Sequence, residues 1–186
     1  MRFDHERLTR TLADSLSIFG GFLIFVSALL VFLDVTVRKL FSMSVFESFE
    51  LTRYAFAIAI AFGLSSTIVY KSNIRIDVVY NYFPVILRRI VDMASLLSLL
   101  FLTSLMAYYA WDLAFENHVR GSRSATGLRV KLGYPQLTWA SGLILLWAVN
   151  LYFVVRSIWA ALRLQFDKYD QLTSIDMYHD NKESEK

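Results

Sequence analysis

The sequence predicts an all-α integral membrane protein with four transmembrane helices. Of its 186 residues, 56% are hydrophobic and 19% are charged, whereas soluble domains average about 45–50% apolar and about 25% charged residues. The apolar residues are concentrated in four blocks, each long enough to cross a bilayer as a helix. Lysines and arginines flank these blocks, as they do at the ends of membrane spans.

We predict spans at about 16–36, 51–70, 87–111 and 137–162. They belong to a single domain over residues 1–164, and residues 165–186 are a polar tail with little apolar surface to bury. The uncharged run 16–33 is longer than a signal-peptide core, and no cleavage site with small residues follows it. We expect a short amphipathic segment at 41–49 to lie in the membrane interface, and 112–136 to be the longest loop.

Charge outside the spans predicts the topology. Four spans place both termini on one side of the membrane, together with the loop between spans 2 and 3. That side holds twelve of the nineteen lysines and arginines. Because positive residues accumulate on the cytoplasmic side, both termini are expected in the cytoplasm.

The second span carries the features around which the chain is organised. Ala55, Ala59 and Gly63 recur every four residues and therefore share one face of a helix. In lipid, such a face allows another helix to approach closely. Glu50 and Arg53 stand three residues apart at the start of this helix, and we interpret them as interface residues. The alternative is a solvated local ion pair that contributes little.

Other polar groups lie inside or near the ends of the spans. Asp34 and Arg38 have the i, i+4 spacing of a helical ion pair. Asp92 and Arg156 are candidates for contact with a partner subunit or with lipid, and the side chain of Arg156 is long enough to snorkel to the interface. The position of Asn150 in the middle of span 4 predicts that its side chain forms a hydrogen bond to another helix.

Several functional classes are excluded by residue content. Cysteine is absent, which excludes disulfides, thiol catalysis and thiolate metal sites. His5, His118 and His179 all lie outside the spans, so axial ligands for a membrane haem are missing. Glycine patterns of phosphate or dinucleotide sites are absent, and a net charge of +3 requires no nucleic acid partner. We therefore predict no enzymatic activity, catalytic residue, cofactor or metal.

Three motifs resemble a known family. Residues 50–54 (E-L-T-R-Y) resemble the E-L-x-R-Y signature that begins the second span of the small membrane subunit, the Q subunit, of tripartite ATP-independent periplasmic (TRAP) transporters. Residues 73–77 (N-I-R-I-D) resemble the H-I-R-V-D elbow of that family, with Asn73 where histidine is usual. Residues 132–135 (L-G-Y-P) resemble the motif before its fourth span. The resemblance extends from about residue 15 to 163.

The resemblance implies a function as well as a fold. A small subunit of this family is a scaffold that anchors a large multi-span permease subunit, and the permease carries the sodium and substrate sites. A periplasmic substrate-binding protein delivers an organic acid such as a C4-dicarboxylate or a sialic acid, and the sodium gradient drives its uptake. The implied location is the bacterial inner membrane, with both termini cytoplasmic. The loop between spans 1 and 2 and the loop between spans 3 and 4 are expected to face the binding protein.

The resemblance and the spacing together give the expected contact residues. The Arg75/Asp77 elbow is expected to fix the turn after span 2, with binding of Arg75 to an anionic lipid as the alternative. The expected subunit-interface residues are Glu50, Arg53, Tyr54, Ala55, Ala59, Gly63, Arg75 and Asp77. The expected contacts with a partner or with membrane lipid are Asp34, Arg38, Asp92 and Arg156.

Two other functions fit four spans. One is a membrane anchor for a redox enzyme complex, which a haem Soret band would reveal. The other is a small homo-oligomeric transporter that acts alone. Reconstitution with and without a large subunit separates this last possibility from the scaffold.

Overall fold

The computed structural model describes residues 2–41, 47–70 and 83–163, with the backbone alone for residues 2–10. The described residues form four helices: α1 (Arg2–Phe41), α2 (Ser48–Val69), α3 (Val85–Val119) and α4 (Gly133–Leu162). All four are long and apolar enough to cross a membrane, α1 through its segment Thr11–Phe41. The predicted all-α membrane fold with four spans is confirmed.

The third helix is longer than predicted. It continues to Val119, eight residues beyond Trp111, so the expected loop 112–136 is reduced to 120–132. The aromatic residues around Trp111 mark the level of a membrane interface and not the end of a helix. Beyond them the helix continues with polar residues, and Glu116 pairs with Arg120 one turn later at 2.5 Å.

The prediction of an interfacial segment at 41–49 is wrong at both ends. Phe41 is the last residue of α1, while Ser48 and Phe49 already belong to α2. The carbonyl oxygen of Glu47 accepts the backbone N–H of Glu50 at 3.0 Å, which opens the first turn of α2. Residues 42–46 lie outside the described part of the chain.

The four helices form a row. The principal contacts between described elements join α1 to α2, α2 to α4, and α4 to α3. Helix α4 buries the largest share of its apolar window and α1 the smallest. The order along the row is therefore α1, α2, α4, α3, with α1 and α3 at its two edges.

Small residues hold the middle of the row together. A Cβ atom added to Gly142 of α4 would lie 2.8 Å from the Cβ atom of Ala61 in α2. Alanines continue this tight packing between α3 and α4, where Ala110, Ala114 and Ala140 are all buried in one cluster. Close backbone approach through small residues is the usual basis of helix association in lipid.

Helices α1 and α2 contact each other at the centre of the pair and at both ends. At the centre, a Cβ atom on Gly20 would lie 3.0 Å from the carbonyl oxygen of Ala59. At one end the Ser48 hydroxyl donates to Asp34 Oδ2 at 2.8 Å. At the other end the Tyr70 hydroxyl donates to Asp14 in a very short hydrogen bond.

A tight turn joins α3 to α4. Gly121 has a φ of 64°, and the N–H groups of Gly121 and Ser122 donate to the carbonyl oxygens of His118 and Asn117. These two bonds form a Schellman motif, which requires a left-handed residue where Gly121 stands. The Asn117 amide then donates to Gln136 Oε1 at 2.8 Å, joining the ends of the two helices.

The hydrogen bond expected between the middle of α4 and another helix comes from a different residue than predicted. Asn150 is fully buried, but within the described residues neither polar atom of its amide has a hydrogen-bond partner. Instead, the indole Nε1 of Trp147 donates to the Ser104 hydroxyl of α3 at 2.9 Å. Trp147 lies one turn before Asn150, and its indole is long enough to reach the neighbouring helix.

Candidate functional site

The loop between α3 and α4 folds into a small hairpin. Arg123 and Lys131 face each other in an antiparallel bridge, and the Ser124 N–H donates to the Val130 carbonyl at 2.9 Å. Arg129 reverses the chain with a φ of 46°, in the left-handed region. Arg123, Arg129 and Lys131 are exposed, so the hairpin presents three positive charges at the end of the helix row.

A set of side chains fastens this hairpin to the beginning of α2. We call it the loop clasp; it consists of Glu47, Glu50, Tyr54, Ser124, Thr126 and Gly127. Glu50 is 3% exposed, and its two carboxylate oxygens accept separate hydrogen bonds. Tyr54 donates to Oε1 at 2.7 Å, and Thr126 donates to Oε2 in a very short bond. The carboxylate therefore bridges α2 and the hairpin.

Glu47 makes the second connection of the loop clasp. The Gly127 N–H donates to Glu47 Oε1 at 3.0 Å. The same oxygen occupies the space that a Cβ atom on Gly127 would need. A side chain at this position would displace the Glu47 carboxylate, which approaches the Gly127 backbone itself.

A buried carboxylate ties α1 to α2 at the same end of the row. Asp34 is fully buried, and its Oδ2 accepts hydrogen bonds from Arg38 at 2.7 Å and from Ser48 at 2.8 Å. Arg38 is 47% exposed and also lies 5.9 Å from the centre of the Phe49 ring. The expected i, i+4 pair thus exists, and it extends to the start of α2.

These polar groups act as structural connectors. Among the described residues, no group of three or more histidine, aspartate or glutamate side chains is placed to hold a metal ion. The carboxylates of Asp34, Glu47 and Glu50 accept hydrogen bonds that join one helix end or loop to another. The arrangement fixes the shape of one end of the row and leaves the basic side chains of the hairpin exposed.

The residues predicted on α2 lie in different surroundings. Glu50 and Tyr54 belong to the loop clasp, whereas Arg53 is exposed. Ala59 is buried against α1, and Ala55 is half-buried. Gly63 is half-buried, and a Cβ atom there would meet nothing within 4 Å. The small-residue face is therefore covered by α1 at Ala59 and open at Gly63.

Of the remaining predicted contact residues, Asp92 and Arg156 lie in described helices, near the other end of the row. Arg75 and Asp77, like Asn73, lie outside the described residues. Asp92 is 3% exposed in the early part of α3. Arg156 lies on α4, and one of its N–H groups donates to the Tyr152 hydroxyl at 2.7 Å.

Sequence reasoning missed four of the six residues of the loop clasp. Glu47 stands three residues before Glu50, a spacing that places two carboxylates on one side of a helix start. Ser124, Thr126 and Gly127 come from a region whose composition indicates only a turn. Nothing in the sequence shows that this turn returns to α2, because the pairing joins residues about 76 to 80 positions apart.

Comparison with known proteins gives one match. The family model described as "Tripartite ATP-independent periplasmic transporters, DctQ component" matches residues 27–161, which is most of the chain. No curated protein and no solved structure matches it. The matched range begins inside α1 and ends at the close of α4, so it includes the loop clasp and the middle of the helix row.

Proposed function

Because the chain belongs to the DctQ family, the small membrane component of TRAP transporters, we propose that it is the scaffold subunit of a sodium-coupled importer of an organic acid. A large multi-span permease subunit carries the sodium and substrate sites. A periplasmic binding protein delivers the acid, of the C4-dicarboxylate or sialic acid type. This chain anchors the permease in the bacterial inner membrane, with both termini cytoplasmic.

The observation that carries this proposal is the open row of helices. Four helices in the order α1, α2, α4, α3 expose two broad faces, and large apolar side chains remain exposed along them, including Phe22, Phe25 and Phe101. A row one helix thick can meet lipid on one face and permease helices on the other. Such a shape suits a static support, because it widens the fixed part of a transporter.

The use of the polar groups supports the same function. Intramembrane carboxylates commonly mark ion or substrate pathways. Here Oδ2 of Asp34 accepts hydrogen bonds from Arg38 and Ser48. The two carboxylate oxygens of Glu50 accept hydrogen bonds from Tyr54 and Thr126. Groups that hold the scaffold together in this way are poorly placed to exchange their partners for a transported ion.

The basic hairpin is proposed as a contact for the binding protein. The positive-inside rule supports a periplasmic location for this end of the row. Arg123, Arg129 and Lys131 are exposed there, and the loop clasp holds their backbone in place. Complementary charge accelerates encounter with an acidic surface. We expect association with the binding protein to slow as salt rises, and Arg123→Gln with Lys131→Gln to flatten that dependence.

Reconstitution tests the proposed function. The chain and a large TRAP permease subunit are purified together and placed in vesicles, and uptake of labelled organic acids is measured with the binding protein present. We expect uptake only with both membrane subunits and an inward sodium gradient. Uptake by this chain alone would contradict the scaffold function and favour a homo-oligomeric transporter. The redox-anchor alternative finds no support, since the family match is to a transporter component.

A further inference from the structure

One stripe of α4 near its C-terminal end carries two arginines and two aromatic residues. Tyr152, Arg156, Trp159 and Arg163 follow one another at spacings of four, three and four residues, which places them on a single helix face. Tyr152 is 38% exposed and Trp159 is 58% exposed. We call these four residues the arginine stripe. It lies at the end of the row opposite the loop clasp.

Each arginine of the stripe is stacked on the aromatic residue one turn before it. The guanidinium carbon of Arg156 lies 5.5 Å from the centre of the Tyr152 ring, and that of Arg163 lies 4.9 Å from the centre of the Trp159 ring. These distances fall within the range of cation–π attraction. Among the described residues, neither guanidinium forms an ion pair with a carboxylate. Both positive charges are therefore held in place, and no carboxylate of the described residues neutralises them.

The surroundings of the stripe are those of a lipid-facing surface. Val155, Ile158 and Leu162, which lie beside it, are 50%, 40% and 79% exposed. Tryptophan and tyrosine concentrate at the level of the lipid headgroups. The two arginines are seven positions apart, which corresponds to about 10.5 Å along the helix axis. They therefore lie on either side of Trp159, one deeper in the bilayer and one nearer to water.

We propose that the arginine stripe binds the phosphate of an anionic phospholipid in the leaflet at the C-terminal end of α4. Arg156 reaches the phosphate from the bilayer side by extending its side chain toward the interface, and Arg163 reaches it from the water side. The planar guanidinium matches phosphate oxygens in a bidentate manner and stays charged within the membrane interface. This site depends on the membrane location of α4 and not on the proposed transport function.

Lipid binding to the purified full chain tests the proposal. Native mass spectrometry compares phosphatidylglycerol with phosphatidylcholine of the same acyl chains. We expect preferential retention of phosphatidylglycerol by the unaltered chain. Each of Arg156→Gln and Arg163→Gln should weaken that preference by about five-fold, the contribution of one basic residue near an anionic surface. Arg120→Gln, at the opposite end of the row, is the matched control and should leave the preference unchanged.

Three results would overturn the proposal. One is an unchanged preference for phosphatidylglycerol in the doubly substituted chain with native helix content by circular dichroism. Another is displacement of the lipid by inorganic phosphate, which would assign the stripe to a soluble anion. The third is loss of permease co-purification in both single variants with lipid preference intact, which would assign the stripe to a carboxylate of the partner subunit.

Discussion

The Cα atom of His118 lies 2.6 Å from the position that a Cβ atom would take on Gly133. The end of α3 and the beginning of α4 therefore meet backbone to backbone. The His118 ring also packs edge-on against Tyr134, with 5.5 Å between ring centres. The L-G-Y-P motif at 132–135 thus has a physical cause: the glycine permits the contact, and the following tyrosine covers it.

Gly133→Ala should destabilise the chain. The added methyl group meets the Cα and Cβ atoms of His118, which side-chain rotation cannot move away, so the two helix ends must separate. Overpacking of this kind typically costs about 1–3 kcal/mol of unfolding free energy. Thermal unfolding in detergent, followed by tryptophan fluorescence, measures the change.

Gly21→Ala is the matched control for this substitution. A Cβ atom on Gly21 would meet nothing within 4 Å, and alanine is favoured over glycine inside a helix. We expect an unchanged or slightly higher unfolding temperature. If Gly133→Ala behaves like the control, the contact with His118 does not hold the helix ends together.

Glu47→Ala should loosen the hairpin without unfolding the helices. The substitution removes the acceptor of the Gly127 N–H, so this amide should exchange its hydrogen faster. The Leu132 N–H is bonded to the Ser122 carbonyl and serves as an internal reference. Hydrogen exchange followed by mass spectrometry of hairpin peptides measures both.

Glu116→Ala is the control variant for the loop clasp. It removes an exposed carboxylate that pairs with Arg120 but contacts no residue of the clasp. We expect exchange of the Gly127 amide to remain slow in this variant. Equal acceleration in both variants would show that general loss of negative charge, and not the clasp, controls the mobility of the hairpin.

Arg38→Met alone should destabilise the chain more than Arg38→Met combined with Asp34→Asn. The single substitution leaves a fully buried carboxylate with Ser48 as its described hydrogen-bond donor. Removing the charge of Asp34 as well eliminates the free-energy cost of burying a carboxylate without its cationic partner. Because Arg38 is 47% exposed, water screens the pair, and we expect a difference of about 1 kcal/mol in unfolding free energy.

A double-mutant cycle on this pair makes the test quantitative. Unfolding of the two single variants and of the double variant gives a coupling free energy for Asp34 and Arg38. Purely additive effects would mean that the 2.7 Å contact contributes nothing to folding. Thr36→Val is a suitable control in the same turn, since among the described residues its hydroxyl bonds only to the Phe32 carbonyl of its own helix.

The sequence predicted the four helices well because a membrane span carries its own signal. Hydropathy and flanking charge are local properties, and the helices follow them. The pair Asp34–Arg38 was also predictable, since both members lie one turn apart on one helix. What the local pattern predicts is which segments are helices and which near neighbours meet.

The row and the loop clasp could not be predicted in this way. Small residues indicated that α2 meets another helix, but not that Ala59 meets α1 while Ala61 meets α4. The contact of Thr126 with Glu50 joins distant parts of the chain. Asn150 shows the opposite error: its position suggested a bond between helices, and Trp147 makes that bond. Contacts between distant segments depend on helix order, which spacing within a helix does not encode.

Gly63→Leu separates contacts within this chain from contacts with the permease. A Cβ atom on Gly63 would meet nothing within 4 Å, so leucine there should not disturb the packing of the four helices. Ala59→Leu and Gly142→Leu, by contrast, place bulk where α1 and α4 approach α2 closely. We expect these two variants to lower the unfolding temperature of the isolated chain, while Gly63→Leu leaves it unchanged.

The same three variants are then purified with the permease. If permease helices cover α2 at Gly63, leucine should reduce recovery of the complex although the isolated chain remains stable, because the backbones can no longer approach. Insertion into the membrane should be normal, since leucine favours it. Full recovery of the complex with wild-type uptake for Gly63→Leu would show that this part of α2 faces lipid, and the permease must then contact another face of the row.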